Sequence, residues 1–322
     1  MDQAIRETGA LLKLETVRAC PLCAGTELKA KYRVCHISGD SLHSWAENGG
    51  FPASTVVECR NCGFLCKKDR PTLAYLGEHY AGSSAEYLER VAEDHPTIRE
   101  DFRAARRLLH DAFPKGGSIL DVGCASGFFL ESLGSGWEKH GLEIFRLAAQ
   151  RARERTGIVV HESDISGARF HDKSFDVVSS FDVVEHLAEP MQFFREARRI
   201  LKPRGRLILG TGNCRSFSAL MSRQRWSYLS IPEHVSFFSP HPLRVGLRRA
   251  GFSRAIFRRI HHGERSVSST TSWLRATGKH WAIALCGEDI VRLKLFRQKT
   301  TEFPVPYFFD HMLCIAWGEG PK

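Results

Sequence analysis

Two matched cysteine pairs stand out as residues whose type and spacing suit metal chemistry. They are Cys20-Pro-Leu-Cys23 and Cys59-Arg-Asn-Cys62. Two such knuckles supply four thiolates, the ligand set that structural zinc prefers in tetrahedral geometry. A thioredoxin-like redox role would need a strand-helix-strand pattern around one pair, and that pattern is missing. We therefore predict a structural Zn2+ held by the four cysteines.

The two knuckles are separated by 35 residues, which is more than the usual spacing in a zinc ribbon. We therefore expect an inserted hairpin or loop, which contains His36 and His43. Cys35 and Cys66 are thiols close by that could substitute for a ligand. Because the module is small, the metal is expected to supply much of its folding energy.

A second candidate site is a glycine-containing turn between a strand and a helix. Residues 118–130 read SILDVGCASGFFL, in which an apolar strand runs to Val122 and a helix starts near Gly127. Ligands of doubly wound sheets bind at this point, beyond the carboxyl end of a strand. Gly123 and Gly127 let the backbone approach a ligand closely. Taken alone, such a turn could serve NAD, FAD or S-adenosylmethionine.

Two carboxylates follow later strands of the same region. Glu143 ends the second short strand, where an acid can accept both hydroxyls of a ribose, and Asp164 follows the third. Strands and helices alternate throughout, which predicts an α/β fold with a doubly wound parallel sheet. The predicted strands lie at 118–122, 137–142, 158–161, 175–181 and 206–210.

Composition limits the classes of protein. The 322 residues are 43% hydrophobic and 25% charged, which suggests about two domains and excludes disordered, collagen-like and disulfide-miniprotein classes. No apolar run approaches membrane-spanning length and the N-terminus lacks a signal core, so we expect a cytoplasmic protein without a membrane partner. The net charge is +10, but we find no compact module of basic and aromatic residues, and so expect no nucleic-acid partner.

The chain divides into a zinc-binding module over residues 1–80 and a larger domain over 81–322. An amphipathic helix from Ile98 to Phe113 leads into the larger domain. Residues 211–240 are predicted to cover the acceptor pocket, and 262–305 form a variable C-terminal segment with no recognisable pattern.

Residues 95–260 resemble the class I S-adenosylmethionine-dependent methyltransferases. ILDVGCASG is similar to the glycine-rich first motif of that family, GLE to its ribose-binding second motif and ESDI to its adenine-contacting third. FDVVSSFDVVEHLAEP and RILKPRGRLIL are similar to the segments around its fourth and fifth strands. The resemblance implies a Rossmann-like fold and S-adenosylmethionine as cofactor. Ala125 stands where the family often has glycine.

The resemblance also implies roles for individual residues. The loop of Gly123, Cys124, Ala125 and Gly127 would hold the methionine part of the cofactor. Asp121 would organise the loop and the ammonium group of the cofactor, and Glu143 would bind the ribose. Asp164 and Ile165 would lie on either side of the adenine, and Phe181 would line the methionine pocket.

A methyltransferase mainly aligns the acceptor with a sulfonium methyl, and a hydroxyl acceptor must also lose its proton. The candidate bases are His186, with its neighbour Glu185, and His234. If residues 182–186 are helical, Asp182, Glu185 and His186 share one face and could bind a catalytic Mg2+. A base oriented by its neighbouring acid, without a metal, is the alternative.

Zinc modules of this kind, joined to such a domain, resemble methyltransferases of sugars, nucleotide-linked sugars and secondary metabolites. We expect methyl transfer to an oxygen or nitrogen of a small acceptor, and the basic balance would suit an anionic one. A sugar C-methyltransferase is an alternative, although such enzymes carry a longer C-terminal domain. An RNA-modifying methyltransferase and a non-catalytic zinc-bearing binding protein are the alternatives of other classes.

Overall fold

The computed structural model describes residues 14–34, 53–72, 100–155, 157–260 and 310–318. The strands are β1 Leu14–Thr16, β2 Leu28–Val34, β3 Ser54–Cys59, β4 Leu65–Lys67, β5 Asp69–Pro71, β6 Gly117–Val122, β7 Trp137–Leu142, β8 Ile158–His161, β9 Phe175–Phe181, β10 Leu201–Gly212, β11 Ser236–Phe237, β12 Arg254–Ile260 and β13 His311–Trp317. The α-helices are α1 Glu100–Ala112, α2 Phe128–Glu131, α3 Arg146–Arg153, α4 Pro190–Ile200, α5 Phe217–Ser222, α6 Ser227–Ser230 and α7 Pro240–Arg249, and 3-10 turns cover Val184–His186 and Arg223–Arg225.

A seven-stranded sheet forms the centre of the larger domain, in the order β12-β13-β10-β9-β6-β7-β8. The five predicted strands pair in parallel, whereas β13 runs antiparallel between β10 and β12. Ala105 of α1 and Ala149 of α3 belong to one apolar cluster, and Phe194 of α4 and Leu247 of α7 belong to the other. Because helices cover both faces, the central strands are buried on both sides. The predicted doubly wound fold is confirmed.

The N-terminal module contributes strands to a second sheet, ordered β11-β4-β3-β2. Its edge strand β11 comes from the larger domain and pairs antiparallel with β4, with Ser236 opposite Cys66 and Phe237 opposite Leu65. The module therefore shares a sheet with the segment that the sequence analysis assigned to the acceptor pocket, a contact that no sequence pattern indicated.

Apolar packing joins the module to the larger domain as well. Leu22, between the first two cysteines, belongs to the same apolar cluster as Phe194 and Leu247. A side chain at Gly246 of α7 would lie 2.5 Å from Leu22 Cδ1, so the helix backbone lies directly against the knuckle. The missing Cβ is what allows this approach.

In the part of the chain that the structure describes, no helix has the length and apolar character needed to cross a membrane. Cys35, His36, His43, the expected boundary near residue 80 and the variable segment 262–305 lie outside the described residues.

Candidate active site and metal centre

The residues predicted to bind the cofactor, here called the cofactor side, lie where β6, β7, β8 and β9 end together. The turn after β6 is fixed by its backbone: Gly123 N and Cys124 N donate to Leu142 O at 2.8 and 2.9 Å. Gly123 has φ 73°, and a Cβ there would lie 2.4 Å from Val183 Cγ2. Glycine is therefore required both by the dihedral angle and by the close approach of the next loop.

Glu143 connects this turn to the end of β7. Its Oε2 accepts a hydrogen bond from Ala125 N at 2.9 Å, and its Oε1 accepts one from Phe145 N at 2.8 Å. Burial raises the pKa of Glu143, and the backbone N–H groups partly oppose that rise. A carboxylate offers about four acceptor positions, so these backbone donors leave room for a ribose hydroxyl. The predicted ribose-binding residue therefore also holds the loop in shape.

The other predicted cofactor residues take different positions. Asp121 is buried beneath the turn and accepts a hydrogen bond from Ser179 Oγ at 2.7 Å. Asp164 Oδ1 accepts hydrogen bonds from Ser166 N and Gly167 N, which closes a turn immediately after β8, and Ile165 beside it is buried. Both carboxylates therefore lie near the ends of parallel strands, at the same edge of the sheet.

Two of the predicted residues have clear packing contacts. The ring of Phe181 lies 4.9 Å from that of Phe102 and 4.7 Å from that of Phe129, centroid to centroid, within an aromatic cluster. The Cys124 side chain packs against β7, where a Cβ at Gly141 would lie 2.5 Å from its Sγ. The Cys124 side chain thus packs the turn against β7.

The acceptor side begins with the 3-10 turn Val184–His186. Glu185 is completely buried, and its Oε2 accepts a hydrogen bond from Thr211 Oγ1 at 2.9 Å while its Oε1 accepts one from Tyr228 OH. Tyr228 OH in turn accepts a hydrogen bond from Gly212 N at 3.0 Å. Burial and the nearby Asp182 raise the pKa of Glu185.

His186 and His234, the two predicted bases, lie next to each other. Their ring centroids are 4.7 Å apart and the rings are nearly perpendicular. His234 Nδ1 donates to Tyr228 O at 3.1 Å, so Nε2 is the nitrogen left to accept a proton. Burial lowers the pKa of His234 well below its ordinary value, and electrostatic repulsion from His186 and Lys67 acts in the same direction. His186 is only half-buried.

His311 also belongs to this group, although no motif in the sequence indicated it. Its Nε2 lies 3.5 Å from Asp182 Oδ1 and its Nδ1 lies 3.0 Å from Asp310 Oδ1. Burial lowers the pKa of His311, but the hydrogen bonds to the two carboxylates outweigh it and raise the pKa to about 10. Its position depends on the pairing of β13 with β10, where His311 faces Gly212, so a local pattern could not have revealed it.

The predicted Mg2+ site at Asp182, Glu185 and His186 is not supported. Asp182 has φ 53° and residues 184–186 form a 3-10 turn, so the three side chains do not share one helical face. Asp182 instead pairs with His311. Glu185, His186 and His234 do offer ligand atoms within 4.8 Å of one another. That histidine-rich donor set suits a transition metal rather than Mg2+.

The four predicted zinc ligands converge. Their sulfur atoms all lie within 4.8 Å of one another, with Cys20 and Cys62 Sγ 3.6 Å apart and Cys23 and Cys59 Sγ also 3.6 Å apart. Tetrahedral Zn–S bonds of about 2.3 Å place two sulfurs about 3.8 Å apart, so the spacing fits zinc. Asn61 Nδ2 donates to Cys23 Sγ at 3.4 Å, a hydrogen bond that would orient the thiolate toward a metal. Hydrogen bonding from Cys62 lowers the pKa of Cys20 to about 5, which favours a thiolate there.

The strand order is that of a doubly wound α/β fold. Comparison with known proteins indicates the family to which this domain is similar. Residues 97–254 match a family model described as a methyltransferase domain. Residues 97–254 therefore match the methyltransferase domain that the sequence motifs predicted, which confirms the predicted family over this part of the chain.

The similar proteins cover only part of the chain. An uncharacterized 37.1 kDa protein in transposon TN4556 of Streptomyces fradiae is 35% identical over 108 residues, which is 31% of either chain. A ubiquinone biosynthesis O-methyltransferase of Cereibacter sphaeroides is 27% identical over 152 residues, 41% of this chain and 59% of that protein. The chain thus spans about a third to three fifths of the length of these relatives.

Among solved structures, the [4+2]-cyclase SpnF matches with a TM-score of 0.50 and 21% identity, over 78% of this chain and 98% of its own. At that identity the match concerns the fold, which agrees with the sheet order described above.

Proposed function

We propose that this protein is an S-adenosylmethionine-dependent methyltransferase that acts on an oxygen or nitrogen of a small molecule. The observation that carries the proposal is the adjacency of two sites. The glycine turn lies against the loop that follows β9, because a Cβ at Gly123 would lie 2.4 Å from Val183 Cγ2. That loop continues to His186, whose ring contacts His234. A cofactor site beside a group able to accept a proton is what such a transfer needs.

S-adenosylmethionine, when bound, supplies an electrophilic methyl group on a sulfonium. The Gly123–Gly127 turn would hold its methionine part, Glu143 its ribose, and Asp164 with Ile165 its adenine. Phe181 and the surrounding aromatic cluster would exclude water beneath the methionine part.

His186 is the residue that we assign as general base. It is half-buried, whereas His234 is 7% exposed and its Nδ1 is already hydrogen-bonded to Tyr228 O. His186 would take the proton from the acceptor hydroxyl or amine, while His234 fixes its ring from the side. Glu185 is a positioning residue in this scheme, because both of its oxygens already accept hydroxyl hydrogen bonds.

The acceptor class is the finer part of the proposal. Relatives named ubiquinone biosynthesis O-methyltransferase favour an oxygen acceptor. The net charge of +10 suits a phosphorylated or carboxylated small molecule such as a nucleotide-linked sugar or a secondary metabolite. We also propose a cytoplasmic location, because none of the eight cysteines of the described residues forms a disulfide, as expected in a reducing compartment.

A second candidate function is suggested by the fold comparison, because SpnF is described as a cyclase although its fold is similar. A chain that binds the cofactor but transfers no methyl group would fit that case, and a fold by itself does not determine the reaction.

The first test is calorimetric titration with S-adenosylmethionine, S-adenosylhomocysteine and NAD. We expect micromolar binding of the first two and none of NAD. Acceptors are then screened by the release of S-adenosylhomocysteine, and a protein that binds both ligands but releases no product with any acceptor would favour the second function.

The base is tested by His186→Gln, with His171→Gln as the matched control on the surface. We expect kcat to fall about 100-fold in the first variant, within the usual contribution of a general base, with no change in cofactor affinity. Equal kcat in the two variants would remove His186 from the proposal.

A further inference from the structure

One lysine of the four-cysteine module is buried against the acceptor side of the site. Lys67 is the last residue of β4 and has no exposed surface. Its Nζ donates to Ile231 O at 2.7 Å and to Pro232 O at 3.0 Å. Its backbone N donates to Val235 O at 3.0 Å. Three carbonyls of one short segment are therefore held by a single residue of the module.

That segment carries His234. On its other side, Val235 N donates to Glu185 O at 2.9 Å and Ser236 Oγ donates to Leu187 O at 2.7 Å. Residues 231–236 are thus held between β4 of the module and the 3-10 turn that contains His186. The position of His234 relative to His186 depends on both sides of this arrangement.

A lysine is an expensive residue to bury, which argues for a specific role. Burial lowers the pKa of Lys67 to about 7, and the neighbouring Glu233 opposes that shift. An apolar side chain would fill the space at lower cost but would leave two buried carbonyls without a donor. The long stem and the several N–H groups of lysine satisfy both carbonyls at once.

The cysteine knuckle fixes the strand from which Lys67 extends. Cys59 N donates to Phe64 O at 2.9 Å across the second knuckle, and Val57 of β3 lies opposite Cys66 of β4. Metal bound by the four cysteines would therefore hold the register of β3 and β4, and through β4 the position of the Lys67 ammonium.

We propose that Lys67 is a positioning residue through which the four-cysteine module holds His234 against His186. This assignment rests on the proposed methyl transfer for its catalytic consequence, although the placement of His234 itself does not depend on it. Loss of the ammonium or of the metal is expected to disturb the acceptor side while leaving the cofactor side intact, because the turn is held by Leu142 O and the Glu143 carboxylate by Ala125 N and Phe145 N.

Lys67→Met is the variant that tests the proposal, and Lys139→Met is the matched control. Lys139 is also a buried lysine, and its Nζ donates to one backbone carbonyl, that of Leu133, at 2.7 Å in another part of the protein. The readouts are the side-chain 15N shifts of histidine, with the His234 signal assigned by His234→Gln, the dissociation constant of S-adenosylmethionine, and kcat and KM for an acceptor.

In Lys67→Met we expect the His234 signal to change, kcat to fall at least tenfold, and the cofactor dissociation constant to stay within twofold. Lys139→Met should match the wild type in all three. Unchanged His234 signals in Lys67→Met would overturn the proposal. If the wild type binds cofactor but methylates no acceptor, the proposed function fails, yet the histidine signals still decide the role of Lys67.

Removal of the metal from the wild-type protein with a chelator gives an independent check, which remains available if Lys67→Met does not fold. We expect the His234 signal to shift and S-adenosylmethionine binding to persist. Retention of the native His234 signal in the metal-free protein would contradict the proposed link.

Discussion

The cofactor side and the acceptor side of the site are built in opposite ways. The cofactor side uses one turn, Gly123–Gly127, and a carboxylate that contacts backbone groups within 20 residues of itself. The acceptor side combines the 185–186 turn with Tyr228, His234 and His311, and depends on Lys67 from the N-terminal module. Backbone geometry makes the first site, and long-range packing makes the second.

This difference has a physical cause. A turn that lets a cofactor approach its backbone closely needs particular dihedral angles, and a few glycines allow those locally. Groups that move a proton need a particular burial and charge environment, which only neighbours from several elements can create. Mutations should therefore act locally on the cofactor side and over long distances on the acceptor side.

The largest effect is expected from removal of the metal ligands. Replacement of Cys20 and Cys62 by serine should abolish zinc binding and unfold the module, since structural zinc contributes on the order of 10 kcal/mol to small domains. Metal content and thermal unfolding are the measurements. Cys66→Ala, a buried cysteine outside the cluster, should keep one zinc per chain. Wild-type protein without zinc would contradict the assignment of the four cysteines as zinc ligands.

The buried His311 should make stability depend on pH. Its folded pKa of about 10 exceeds the unfolded value, so the protonated form stabilises the protein below about pH 6.5, and this contribution is lost as the pH rises through 10. Between these limits the free energy of unfolding of the wild type should fall by about 4 kcal/mol more than that of His311→Gln.

Denaturant titrations from pH 6 to 10 measure this difference. The exposed His110 provides the control, and His110→Gln should follow the wild-type curve. If wild type and His311→Gln lose stability in parallel, His311 is not held as a cation between Asp182 and Asp310.

On the cofactor side, Glu143→Ala removes the carboxylate proposed to bind the ribose, together with its hydrogen bonds from Ala125 N and Phe145 N. We expect the dissociation constant of S-adenosylmethionine to rise about 100-fold, which corresponds to about 2.7 kcal/mol. Calorimetry is the measurement. Glu162→Ala serves as the control, because that glutamate pairs with Arg153 on the surface. An unchanged constant for Glu143→Ala would refute the ribose role.

The smallest effect concerns backbone strain at Ala125, whose φ of 46° lies in the left-handed region. Ala125→Gly should raise the free energy of unfolding by about 0.5 kcal/mol, because relief of about 1–2 kcal/mol of strain exceeds the extra entropy of the unfolded glycine. Ala149→Gly, within α3, should lower it by about 1 kcal/mol. Destabilisation by Ala125→Gly would show that the methyl group packs usefully.

Much of the cofactor side could be predicted because its determinants are close together in sequence. The strand, the turn and the acid at the end of β7 were all found, and the structure brings Gly123, Glu143 and Asp164 to one edge. Their binding of the cofactor stays a prediction. The helical face considered for residues 182–186 is wrong, because Asp182 itself has a positive φ and a 3-10 turn follows it.

The sequence by itself determined the doubly wound sheet, the cofactor turn and the four-cysteine cluster, because hydrophobic periodicity, glycine dihedrals and ligand spacing are local properties. Tertiary structure alone decided that β11 joins β4, that His311 lies beside Asp182, and that Lys67 holds the segment of His234. These contacts link residues from about 130 to about 170 positions apart. The free energy that selects them comes from burial of apolar surface throughout the folded chain. No local pattern carries that information.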